Sequence, residues 1–169
     1  MSAQLILRAP RVEDAPALAA EANDPRVAAG LRDSFPAPYT VDDALRFIEV
    51  VQEKSGPRTD WFIEVDGEVA GVMGLFIGED VYRYNAEIGY WLGHRFWGRG
   101  LMTRAIQWTV AYAWRALTVD RVYAEVFSTN AASYRVLQKC GFTEDYRLRG
   151  VVAKGGDRCD ALCYGVRKR

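Results

Sequence analysis

Glu87-Ile88-Gly89-Tyr90-Trp91-Leu92-Gly93-His94-Arg95-Phe96-Trp97-Gly98-Arg99-Gly100-Leu101-Met102-Thr103 is the stretch on which the reading of this chain turns. Its first residues alternate as a strand does, with Glu87, Gly89 and Trp91 on one face and Ile88, Tyr90 and Leu92 on the other. A loop with two alternating glycines follows, and a helix starts directly after it. Such a segment is built to hold an anion: glycine lets the backbone approach closely, several N–H groups converge, and the helix N-terminus adds about half a positive charge. Arg95 and Arg99 add formal charge, so the natural guest is a phosphate or pyrophosphate. A P-loop requires Gly-Lys-Ser/Thr, and Leu101 follows the glycine here. A dinucleotide fingerprint requires a third small residue where this chain has Thr103, and an acidic residue at the far end of the next strand; Asp120 has the spacing but falls before that strand. A glycine-rich turn of purely structural use stays open at this point.

Outward from this segment the chain reads as one α/β unit spanning 1–169. Leu5 to Arg8 is a short strand ended by Pro10, and Val12 to Ala22 carries helical spacing until Asn23-Asp24-Pro25 breaks it. Asp24 to Asp33 is read as a second short helix, followed by a proline-stiffened loop through Tyr39. Thr40 stands at an N-cap position, with Asp42 and Asp43 in the first turn of a helix to about Glu53. Asp66-Gly67 between Trp61–Val65 and Glu68–Val72 predicts a hairpin with a tight primed turn. Beyond the decisive stretch come a long helix from Leu101 to Leu117, a strand from Arg121 to Phe127 and a helix from Asn130 to Cys140. Gly141-Phe142 terminates that helix, and two strands near 143–153 and 159–166 close the chain.

Composition excludes several classes. Lys plus Arg is 22 and Asp plus Glu is 22, so the basic excess of a phosphate-neutralising nucleic-acid binder is missing. Val69 to Gly78, the longest apolar tract, has about ten residues where a bilayer span needs roughly 20. Met1-Ser2-Ala3-Gln4 shows no secretory pattern, and three cysteines (Cys140, Cys159, Cys163) read as reduced thiols of a cytoplasmic protein. His94 is the only histidine, which leaves a zinc site short of ligands and removes most Ser-His and Cys-His nucleophile arrangements. No metal is expected. Enzyme chemistry here must rest on carboxylates, hydroxyls, backbone amides or a cofactor. The high Tyr and Trp content is compatible with a homodimer interface.

Arg95-x-x-Gly98-x-Gly100 resembles the Arg/Gln-x-x-Gly-x-Gly/Ala signature of GNAT-type N-acetyltransferases. Glu87-Ile-Gly-Tyr-Trp-Leu resembles the strand before that signature in the RimJ/RimL-like branch. Asn130-x-x-Ser133-x-x-Val136-Leu137-x-Lys139-x-Gly141-Phe142 resembles the branch's next motif, and Pro38-Tyr39-Thr40 before a helix with Ala44 and Phe47 resembles its N-terminal region. The likeness runs from Leu5 to about Tyr164. It implies a mixed, mostly antiparallel central sheet of about seven strands flanked by helices, with acetyl-CoA as acyl donor. It further implies that Trp91 and Leu92 offer main-chain groups to the pantetheine, that Arg95, Gly98, Arg99, Gly100, Leu101 and Met102 take the pyrophosphate, and that Asn130 hydrogen-bonds the coenzyme.

The implied reaction is attack of a neutral amine on a thioester. An α-amino group with a pKa near 8 is roughly one-tenth neutral at pH 7, and a lysine near 10.4 is neutral in less than about a thousandth. Glu87 matches the branch's acid that removes the amine proton, directly or through water. Many GNAT enzymes carry a tyrosine acid seven residues after the asparagine; Leu137 stands there instead, and Ser133 is the implied hydrogen-bond donor to the leaving thiolate. Phe35, Tyr39 and Tyr84 are candidates to line the acceptor pocket. The leading acceptor is a protein N-terminal α-amino group. The alternatives are a small amine, such as a polyamine or antibiotic, and a non-catalytic acyl-CoA-binding module.

Overall fold

The computed structural model describes residues 3–169; Met1 and Ser2, where the N-terminal reading and the 1–169 span begin, lie outside the described residues. Seven strands form one sheet in the order β1-β2-β3-β4-β5-β7-β6: β1 Leu5–Arg8, β2 Asp60–Val65, β3 Glu68–Ile77, β4 Asn85–Leu92, β5 Arg121–Phe127, β6 Thr143–Lys154 and β7 Asp157–Arg167. The helices are α1 Ala15–Ala22, α2 Pro25–Ala28, α3 Val41–Glu53, α4 Leu101–Ala116 and α5 Ala131–Lys139. β4 and β5 run parallel, whereas β1–β2, β2–β3, β5–β7 and β6–β7 are antiparallel, as the family resemblance implies. The chain forms two compact units, one running through Gly74 and resuming at Tyr90–Leu101, the other made of Leu75–Gly89 and Met102–Arg169.

In the first unit, Asp66 and Gly67 have φ of 51° and 86°, the two left-handed residues of the primed turn that the Asp-Gly pair predicts. Thr40 accepts from the Asp43 N–H while Asp43 accepts from the Thr40 N–H, a reciprocal cap that fixes the start of α3. Leu18, Ala44, Ile48 and Phe62 are almost fully buried and share one cluster with Ala15, Ala19, Ala22 and Tyr39. Each large side chain among them contributes about 1.5–3 kcal/mol relative to exposure. Two expectations shift. Residues 12–14 form a 3₁₀ turn, and α1 begins only at Ala15, where Pro16 sits at a position whose N–H an α-helix does not need. The helix expected over 24–33 is the single turn Pro25–Ala28, with Asp24 accepting from the Arg26 N–H.

In the second unit, α4 buries Ile106, Thr109 and Ala113; Thr109 satisfies its hydroxyl on the Ala105 carbonyl (2.9 Å). α5 lies on β7, with the Tyr134 and Tyr164 rings stacked at 6.2 Å and the Gln138 amide donating to the Tyr164 hydroxyl. Gly141, at φ 85°, ends α5 with the Phe142 N–H returning to the Leu137 carbonyl. No helix among the described residues is long and apolar enough to cross a membrane.

Candidate active site

β4 ends at Leu92 and the chain passes through a short 3₁₀ turn, His94–Phe96, into the glycines. Gly98 and Gly100 adopt φ of 72° and 70°, where a side-chain-bearing residue costs about 1–2 kcal/mol, and nothing lies within 4 Å of where a Cβ would stand on either. Their requirement is therefore backbone conformation, and the space over them is open. Trp97, Gly98, Arg99 and Gly100 are all exposed, whereas Leu101 at the head of α4 is buried and Met102 half-buried. An exposed, left-handed glycine pair ahead of a sixteen-residue helix suits a pyrophosphate, whose oxygens take backbone N–H donors.

The loop is held from below by charge. Arg95 donates from Nε to Glu21 of α1 (2.6 Å), pairs through Nη1 with Glu68 of β3 (2.5 Å) and lies 4.2 Å over the Phe96 ring. A hydrogen bond to Glu21 is the main cause that raises the Arg95 pKa. Arg99 stands 3.8 Å from Asp66. Gly93 has no room for a Cβ because the Glu21 carboxylate occupies that spot, and its N–H donates to the Ala70 carbonyl (2.8 Å). Trp97 donates from Nε1 to the Leu92 carbonyl (2.7 Å), which engages that carbonyl within the loop, and the His94 ring lies 4.9 Å from Trp97. Phe35 touches Trp91 edge-on (5.8 Å) and Tyr39 (5.0 Å). Tyr39 is buried, so it serves any acceptor surface by supporting Phe35; burial, then the charge of Asp43, pushes its phenol up to about 12.

Glu87 and its neighbours on β5 belong to the second unit. Parallel pairing joins Asn85, Ala86 and Glu87 to Arg121, Val122 and Tyr123, so half-buried Glu87 stands beside Tyr123 at the last pair. β4 continues five residues beyond that pair and β5 four. Burial first, then the charge of Glu87, raises the Tyr123 phenol above its ordinary value. Arg121 lies 4.5 Å over the Tyr123 ring and is fixed by Asp145 (2.5 Å), Asn85 (3.1 Å) and the Cys163 thiol (3.6 Å). Burial pushes the Cys163 thiol up, against the pull of Tyr146 and Arg121. Asn130 caps α5, its Oδ1 accepting from the Ser133 N–H (3.2 Å), and Ser133 lies half-buried in the first turn. The Nδ2 end of Asn130 carries two N–H donors. Tyr84 precedes β4, is exposed, and has the Arg83 guanidinium 4.7 Å over its ring. No cluster of three potential metal ligands occurs among the described residues.

Arg121 with Asp145, and the Arg95–Glu21 pair, escape a reading of the sequence because their partners are 24 and 74 residues away. The one local signal is a glycine inside a strand. Gly71 has the Trp91 carbonyl where its Cβ would stand, and Gly165 has the Asp145 carboxylate there.

A strand, a glycine-rich loop and a helix in this order are the parts that the family resemblance implies for holding coenzyme A. Comparison with known proteins agrees: residues 4–143 match the acetyltransferase (GNAT) domain, and the chain belongs to that family. It is 32% identical to the uncharacterized N-acetyltransferase YoaA of Bacillus subtilis (strain 168), over 98% of this chain and 94% of that protein. It is 33% identical to the putative ribosomal N-acetyltransferase YdaF of the same organism, over 62% of this chain and 56% of that protein. The structure of RimL, a ribosomal L7/L12 alpha-N-protein acetyltransferase in complex with coenzyme A, superimposes with a TM-score of 0.83 at 22% identity, covering 96% of this chain and 93% of that one. The protein is thus an acetyl-CoA-dependent N-acetyltransferase of the GNAT family.

Proposed function

We propose that the chain acts as one domain that acetylates a protein N-terminal α-amino group, with Glu87 as general base and Ser133 as hydrogen-bond donor to the departing thiolate. The observation that carries this reading is the placement of half-buried Glu87 beside Tyr123 at the last pair of the β4–β5 ladder. The acceptor class is supported by the likeness to YdaF and RimL, whose names refer to ribosomal substrates.

Acetyl-CoA supplies the activated acyl carbon, and the chain's residues do the rest. The N–H groups of Gly98 to Met102 and the α4 N-terminus hold the pyrophosphate, Arg99 adds charge, and Arg95 braces the loop on Glu21 and Glu68. Trp91 and Leu92 offer main-chain groups to the pantetheine and Asn130 hydrogen-bonds the coenzyme; Phe35, backed by Tyr39, and Tyr84 are each candidates to meet the acceptor. Glu87 takes a proton from the amine nitrogen as that nitrogen bonds to the acyl carbon and the carbon–sulfur bond breaks. The sulfur leaves with its electron pair, met by the Ser133 hydroxyl. An α-amine needs little help to lose its proton, so a carboxylate base suffices at neutral pH.

Steady-state rates test this reading, comparing a peptide with a free N-terminus, the same peptide N-blocked with an internal lysine, and spermidine. The free N-terminus should be preferred, and Glu87→Gln should lower kcat by about 10²–10⁴-fold while calorimetry shows unchanged acetyl-CoA affinity. Preference for spermidine overturns the acceptor class. An unchanged rate in Glu87→Gln overturns the base.

A further inference from the structure

Phe76 is a large aromatic side chain, 58% exposed, near the end of β3. A Cβ on Gly89 would come within 3.1 Å of the Phe76 ring. Residues 87 and 89 of one strand project to the same face, so the ring lies on the Glu87 face of β4, one two-residue step (about 6.5 Å) further along. Tyr123 flanks Glu87 from β5, one face of its ring covered by Arg121. The Glu87 carboxylate is therefore bordered by an aromatic ring on each of two sides. The Phe76 side is open to solvent and closed below by a glycine that cannot take a side chain without displacing the ring.

We infer that Phe76 is a specificity-determining residue, whose ring receives the first side chain of the acceptor and selects apolar over acidic or small polar residues beside the reacting amine. The inference rests on the assignment of Glu87 as the group that meets the amine. An amine held at Glu87 carries its α-substituent within one side-chain length of the ring, and an apolar substituent there removes ring surface from water. An anionic substituent there would be desolvated against the ring and repelled by the Glu87 carboxylate. Gly89 lets the ring settle on the β4 backbone, since a Cβ there would make the ring give way by a few tenths of an ångström.

The test uses the full chain with acetyl-CoA and peptides identical except for a first residue of Leu, Phe, Ser or Asp. The wild type should favour Leu and Phe in kcat/KM, and Phe76→Ala should compress the Leu/Ser ratio by about tenfold, the scale of an apolar pocket contact. The KM for acetyl-CoA should hold, and Phe76→Leu should restore most of the ratio. A ratio unchanged in Phe76→Ala, or a wild-type preference for Ser or Asp, overturns the inference while leaving Glu87 in place. Peptide acetylation insensitive to Glu87→Gln overturns the base assignment and the inference with it. Affinity for coenzyme A covalently joined to Leu- and Ser-initiated peptides gives a readout independent of turnover, and the Leu conjugate should lose its advantage in Phe76→Ala.

Discussion

Replacement of Gly71 by alanine should damage both stability and cofactor binding, and the structure sets the size. A Cβ at Gly71 would overlap the Trp91 carbonyl oxygen and stand 2.9 Å from the Leu92 Cα and 3.1 Å from the Trp91 carbonyl carbon. All three are backbone atoms, so relief requires β3 and the end of β4 to separate. Gly71 has no positive φ, so the whole penalty is steric. Overpacking costs typically 1–3 kcal/mol, and rigid neighbours place this case near the top, at about 3 kcal/mol. For a chain of this size each kcal/mol moves Tm by about 2–4 °C, which gives a fall of about 6–12 °C. Gly98→Ala is the control. It meets no neighbour but must hold φ near 72°, at about 1–2 kcal/mol and about 2–8 °C. Thermal melts by circular dichroism measure both, and calorimetry with acetyl-CoA should show weaker binding for Gly71→Ala, because Trp91 and Leu92 move. A Gly71→Ala protein melting within about 2 °C of wild type, below the smallest shift this overlap allows, with unaltered acetyl-CoA affinity would refute the reasoning.

Arg95→Gln and Glu21→Gln should each raise the acetyl-CoA Kd by about threefold, the scale of a half-exposed ion pair, and the double variant should be no worse than either, since Arg95 acts through Glu21. Additive losses in that cycle, read by calorimetry, would mean that Arg95 touches the phosphates itself. On the acid side, burial tends to raise the Asp14 carboxyl, but the bidentate Arg8 pair, the Arg11 N–H and the charges of both arginines hold it below its usual value. A depressed carboxyl stabilises the fold above the unfolded pKa near 4 and loses that contribution as pH falls through the lower folded value. Asp14→Asn should therefore destabilise the protein at pH 7 and flatten its urea-midpoint profile below about pH 4; an unflattened profile would contradict the assignment.

Much of the fold is legible in the sequence because its signals are local. Asp66-Gly67 specifies both the turn and its left-handed dihedrals, Thr40 with Asp43 specifies a helix start, and Gly98 and Gly100 mark the loop by conformational need alone. The α2 region reads as a longer helix than it is because its spacing looks helical, while Asp24 closes only one turn onto Arg26. β3 is legible only to Val72, since its continuation through glycines to Ile77 carries little alternation. Of the site, the residue types are visible and their supports are not. Nothing near Arg95 in sequence names Glu21, nothing near Arg121 names Asp145, and nothing near Glu87 announces Phe76, because tertiary approach alone creates those pairs.

Glu21, Glu68 and Asp66 bring three negative charges to a loop that offers two positive ones, Arg95 and Arg99. The cradle therefore casts little long-range field, and its attraction is confined to amide dipoles that fade within a helical turn. With this loop as the proposed pyrophosphate site, capture of acetyl-CoA should depend on a close collision of matching shape, with an association rate that changes little as salt is added. On the proposed assignment of this loop to the pyrophosphate, free nucleotides gain little from their charge at a distance, and shape decides which phosphate ligand stays.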